Sequence, residues 1–180
     1  MLEKLKYPIG KAKIPENIFE NDIQSWISII EDHPEKLSRL VNNLSEDQLD
    51  TPYRPEGWTI RQVIHHLGDS HTNSYIRFKW ALTEDKPIIK AYHEDRWAEL
   101  KDTKFAPIKP GLEYLRALHS KWVHLLKGLT SEDLKRCYIH PDTNKEVSLA
   151  KNIGIYAWHC EHHYEHINQL LLRRDVQEKR

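Results

Sequence analysis

The sequence predicts an all-α protein, a four-helix bundle with long connections between its helices. Three observations carry this expectation. Four long segments repeat apolar residues at helical spacing. No long Val/Ile/Thr alternation of the kind that marks strands occurs anywhere. The length, 180 residues, suits one well-cored domain and is short for two. A single domain over 1–180 is therefore expected, and four helices of this length pack most simply as a bundle.

The first 18 residues lack a period and are expected to wrap the bundle as an extended arm. The first long helix is predicted over about 21–43, with Ile23, Trp26, Ile27, Ile30, Leu37, Leu40 and Val41 as its apolar stripe. Pro34 lies inside it and predicts a kink or a restart. The second helix, about 59–82, opens on Thr59 with Gln62 three residues later, a capping-box start. The third, about 111–129, follows Pro110 and carries Leu112, Leu115, Leu118, Trp122, Leu125 and Leu126. The fourth runs over about 148–173. The connection at 83–110 holds a candidate short helix around Trp97, and a second long connection spans 130–147. L-S-E-D-Q-L-D at 44–50 echoes L-T-S-E-D-L-K at 129–135, each between an amphipathic helix and a histidine-bearing one.

Lys+Arg and Asp+Glu balance at 27 each, so nucleic-acid and anionic-membrane partners, which need a net basic face, are not expected. No apolar run approaches the roughly 20 residues of a membrane span. The N-terminus lacks the apolar core of a secretory signal. Cys137 and Cys160 make neither a CxxC nor a disulfide framework. A reduced, cytoplasmic protein is the expectation.

Twelve histidines is the outlying count, and they cluster. His159, His162, His163 and His166 fall in W-H-C-E-H-H-Y-E-H-I, giving two pairs at i, i+4 that could each grip a metal ion. Ligands in a bundle point between helices. At about 100° per residue, His163 lies roughly 50° and His159 roughly 90° from the centre of the last helix's apolar face. His166, roughly 110° away, is marginal, and His162, at roughly 150°, should face solvent. The inward pair is thus His159/His163. The second helix offers His65, His66 and His71. His71 falls near the centre of its apolar face and His66 on the flank, and periodicity alone leaves both open as a third ligand or as a hydrogen-bonded core histidine. Cys160 reads as a small core residue, and Trp58 and Trp158 as packing beside the site.

Several stretches carry a resemblance: Y-P-I-G at 7–10, L-D-T-P-Y-R at 49–54, G-W-T-I-R-Q-V-I-H-H-L at 57–67, D-S-H-T-N-S-Y-I-R-F-K at 69–79, H-P-D-T at 140–143 and W-H-C-E-H-H-Y-E-H-I at 158–167. Together they resemble the DinB-like superfamily of four-helix metal proteins, and within it the YfiT-type metal-dependent hydrolases of Gram-positive bacteria, which are related to bacillithiol S-transferases. The resemblance implies a metal site of His66, His159 and His163, and a homodimer.

Three neutral imidazoles leave a bound Zn²⁺ with an open position, as in catalytic sites. Such an ion lowers the pKa of a bound water to about 7, which suits hydrolysis. The same position binds a thiol and stabilises its thiolate. The expected function is therefore metal-dependent hydrolysis of a small-molecule substrate. Transfer of a low-molecular-weight thiol is the alternative, and a non-catalytic metal-binding stress-response protein is a further one. Zinc suits the ligand type best, with nickel, manganese or iron as other candidates. Asp69 and Ser70, about one turn after His66, are candidates to orient an imidazole. Asn73 and Arg77 continue the His66 strip as candidates for an anionic substrate group, and His140 is a candidate to line the site.

Overall fold

A computed structural model describes residues 2–178, with side chains described as far as Arg174. Its elements run α1 (Leu2–Lys6), α2 (Glu20–Val41), α3 (Glu46–Leu49), α4 (Ile60–Thr83), α5 (Glu94–Trp97), α6 (Lys101–Phe105), α7 (Ile108–Lys127), α8 (Ser131–Lys135), β1 (Cys137–His140), β2 (Lys145–Ser148) and α9 (Leu149–Glu178). The four long helices α2, α4, α7 and α9 are the bundle. Both α2 and α4 pack against α7 and α9, so α2 and α4 face each other across the diagonal.

The helix starts follow their local chemistry. Thr59 accepts a hydrogen bond from the Gln62 amide through Oγ1, while the Gln62 side chain accepts one from the Thr59 amide, closing the expected capping box. The echo at 44–50 and 129–135 is the same device used twice: Ser45 and Thr130 each close a capping box, on α3 and α8. Arg61, 3 % exposed, ties the first turn of α4 to Asp50, Glu46 and the Ala106 carbonyl. The candidate helix around Trp97 is α5.

Three expectations change. Helix α2 runs through Pro34 without a break, and Pro34 is buried. The connection at 130–147 holds an antiparallel hairpin pairing Tyr138 with Val147 and His140 with Lys145. Its strands of four residues are too short to show an alternation. Residues 1–18 are not extended throughout, because Leu2–Lys6 form α1.

The core divides into two apolar clusters. One gathers Ile23, Ile27, Phe78, Trp122, Leu149 and Ile153, and the other Leu37, Val63, Leu67, Leu115 and Ile167. Between them every long helix contributes histidine: His33 from α2, His66 and His71 from α4, His119 from α7, and His159, His163 and His166 from α9. A histidine layer thus cuts the bundle at mid-height. His33 is fully buried and both its ring nitrogens lack partners among the described residues. Burial, then the proximity of His119 and Lys36, holds its pKa well below the usual value. His119 is likewise pushed down, to about 4, by burial.

This layer predicts acid sensitivity. Folded His33 and His119 stay neutral below pH 6.5, where the unfolded chain already binds protons. Stability should therefore be complete above about pH 6.5 and fall as the pH drops towards 4, by about 1.4 kcal/mol per pH unit for each such histidine. Urea unfolding between pH 7 and pH 4 measures it, and His33→Leu should flatten the slope.

Candidate metal centre

Helices α4 and α9 are neighbours, and they bring His66, His159 and His163 together. One ring nitrogen from each lies within 4.8 Å of the others. Nε2 of His66 and Nε2 of His159 approach to 3.3 Å. Trp58 lies against His66 and His163, with centroids at 4.6 and 6.3 Å, and walls one side. The cluster opens on a cavity of about 490 Å³ that Trp58 also lines, with Lys6, Ser70, Arg77, Tyr92 and His140.

The protons on these rings follow from what stands behind them. His119 Nδ1 lies 2.6 Å from the Ile30 carbonyl, which can only accept, so Nδ1 carries the proton. His119 Nε2 is then the acceptor for His71 Nδ1 at 2.6 Å. His71 Nε2 in turn accepts from His159 Nδ1 at 3.0 Å. His159 is left with its lone pair on Nε2, facing His66. The relay takes one residue from each long helix: His159 on α9, His71 on α4, His119 on α7 and Ile30 on α2.

The Ile30 carbonyl is free to accept for a covalent reason. In a regular helix it would receive the N–H four residues on, and that residue is Pro34, which has none. A second relay serves His163. His166 Nε2 donates to the Lys6 carbonyl at 3.1 Å, an acceptor left open where α1 ends. His166 Nδ1 then accepts from His163 Nδ1 at 3.3 Å, which leaves the His163 lone pair on Nε2.

The relays hold only while the rings are neutral, and burial keeps them so. It is the first cause pushing His71, His159 and His163 well below the usual histidine pKa, with neighbouring histidines adding to it. Burial also takes His66 to about 3 and His166 to about 4.

A divalent ion fits this donor set. Two nitrogens about 2.0–2.1 Å from a tetrahedral zinc stand ~3.3–3.4 Å apart, which matches the His66–His159 separation. Metal-bound histidines generally donate their second N–H to an acceptor behind them, as His159 and His163 do.

The remaining candidates divide. Ser70, Arg77 and His140 line the cavity. The Ser70 hydroxyl lies 3.4 Å from the Tyr156 hydroxyl and orients no imidazole. Asp69, with its pKa raised to about 6 by burial and then by Asp102, makes no hydrogen bond to an imidazole among the described residues. The orienting positions are filled instead by His71, also on α4, behind His159, and by His166 of α9 behind His163. Asn73 donates to the Asp69 carbonyl at 2.9 Å and does not line the cavity. His162 is buried, contrary to the helical-wheel reading, and so is His166, which the wheel left marginal. Segments outside the four long helices cover them: Tyr53 stacks on His166 at 3.9 Å and Tyr7 lies 5.9 Å from His162, while Trp158 of α9 itself stacks on His162 at 4.3 Å. Cys160 is a fully buried core residue.

Sequence reasoning missed His119, Ile30 and Lys6. A signal existed for two of them: a proline four residues after Ile30 frees its carbonyl, and His119 interrupts the Leu115, Leu118, Trp122 stripe. Cutting the relay tests its role. His119→Phe should leave the helical fold intact and weaken zinc binding about 10–100-fold, read by competition with a chromogenic chelator. Unchanged affinity would count against the relay.

Comparison with known proteins identifies the family. A model described as the DinB superfamily matches residues 29–167. "Putative metal-dependent hydrolase YfiT" of Bacillus subtilis (strain 168) is 48% identical over 169 residues, covering 94% of this chain and 95% of the relative. A protein of Bacillus cereus (strain AH820) with the same description is 51% identical over 172 residues, covering 96% of this chain and 98% of its own. The solved structure of Bacillus subtilis YfiT, described as a probable metal-dependent hydrolase with an unusual four-helix bundle topology, superposes with a TM-score of 0.94 at 47% identity, over 96% of this chain and 98% of that one. With the family model spanning most of its length and the bundle reproduced, this chain belongs to the DinB superfamily.

Proposed function

We propose that the protein is a metal-dependent hydrolase acting on a small molecule, with His66, His159 and His163 as the ligands of one divalent ion, zinc first. The observation that carries this reading is the convergence of three neutral imidazoles, two with the Nε2 lone pair set by a relay, at the wall of a 490 Å³ cavity. The names of the relatives support it. Bound there, the ion would supply Lewis-acid activation of a water or carbonyl oxygen, with at least one position open.

The chain's own residues supply the rest. His159 and His163 hold their protons at Nδ1, against His71 and His166, so the relays orient both rings. Trp58 shields His66 and His163 from solvent on one side. Three neutral ligands cancel none of the ion's charge, which favours an anionic or polarised oxygen in the open position. The cavity volume favours one second reading, thiol transfer at the same site, because it has room for two small reactants.

Purified protein should bind one ion per chain. His66→Ala, His159→Ala and His163→Ala should each lose it, and His162→Ala should retain it, by elemental analysis. With an activated ester, product should form without added thiol and fall at least about 100-fold after chelation. Product that appears only with consumption of a thiol selects the transferase reading. Protein that takes up no divalent metal rules out both.

A further inference from the structure

Arg77 lines the same cavity as the three imidazoles and is 8 % exposed. Its Nε is buried without a hydrogen-bond partner, and the guanidinium has no carboxylate partner among the described residues. The contrast is Arg61, about equally buried, which is held by Asp50, Glu46 and a backbone carbonyl. A buried charge is costly unless paired. An arginine whose neighbour is the neutral Tyr138 and not a carboxylate, at the wall of a solvent-connected cavity, is therefore placed for an anion that arrives from solution.

Its position sets where that anion sits. Arg77 follows His66 on α4 by eleven residues, ~16 Å along the axis and roughly 20° around it, so the two share a face. Helical side chains lean towards the N-terminus, which carries the guanidinium back towards His66. Ser70, between them, forms cavity wall. The guanidinium carbon sits 6.0 Å from the centroid of the Tyr138 ring, which supports the fork from one side. Lys6 adds a second cation, while Glu94 and Asp142 bring two exposed carboxylates to the same cavity. Those carboxylates disfavour a doubly charged phosphate. A single carboxylate, which the guanidinium fork can grip through two parallel bonds, suits the balance.

We propose that Arg77 anchors a carboxylate of the substrate, so that the site takes small carboxylate-bearing molecules whose reacting atom lies on the order of 10 Å from that carboxylate. This rests on the metal-site reading above and adds the substrate class to it.

The test loads the protein with cobalt(II) and titrates two thiol probes of equal chain length, mercaptohexanoate and mercaptohexanol, following the cobalt absorption spectrum. Wild type should bind the carboxylate probe at least about tenfold more tightly than the alcohol. Arg77→Gln should bring the two to near equality by weakening the carboxylate probe alone. Arg77→Lys, which keeps the charge but loses the fork, should retain part of the preference and serves if the glutamine variant does not fold. Equal or undetectable affinity for the two probes in cobalt-loaded wild type, or a full preference surviving in Arg77→Gln, overturns the carboxylate anchor and leaves the metal site standing. Failure to take up cobalt overturns the metal site and the anchor with it.

Discussion

A chain of three imidazoles ending on one backbone carbonyl governs this bundle. His159, His71 and His119 pass a fixed hydrogen-bond direction from α9 through α4 and α7 to Ile30 on α2. The carbonyl cannot donate, so the sense of every bond upstream is decided at that end. The acceptor exists because Pro34 cannot close the helical bond to Ile30. A residue that ordinarily weakens a helix interior here creates the terminus of a polar network. The short α1 has the same function for the second relay, because its last carbonyl orients His166 and through it His163.

The cost of the arrangement is a polar layer through the middle of the core. Neutral imidazoles limit that cost, since each relay ring satisfies its nitrogens through neighbours. The layer also separates the two apolar clusters, so the large residues that stabilise the bundle lie above and below it. Site and fold are therefore not independent. The helices that pack the core are the ones that carry the relay, and a shift of α2 or α7 reaches the clustered Nε2 atoms although neither helix contributes to the three-imidazole cluster.

Much of this was legible in the chain. Apolar periodicity located all four long helices, and the Thr59/Gln62 pair located the start of α4. The last helix's own geometry singled out His159 and His163. It could not choose between His66 and His71, because that choice depends on how α4 is rotated against α9. Only the resemblance to relatives pointed to His66. The structure places His71 one step further back, in the relay. His162 was misread, and His166 left at the margin, because a helical wheel knows nothing of the loops: residues 2–10 and 51–58 cover a face that four isolated helices would leave to water. The hairpin bearing His140 was hidden by the brevity of its strands. The relay's carbonyl end was invisible for a different reason, being a backbone acceptor whose only trace is a proline four residues later.

The central claim is that the relays hold the lone pairs of His159 and His163 on Nε2. The most direct measurement is the ¹⁵N chemical shift of each imidazole nitrogen, with long-range ¹H–¹⁵N correlation, in metal-free protein at pH 7. The account predicts neutral rings protonated at Nδ1 and bare at Nε2 for both residues. An Nε2–H tautomer at either one, or a doubly protonated ring, would contradict it.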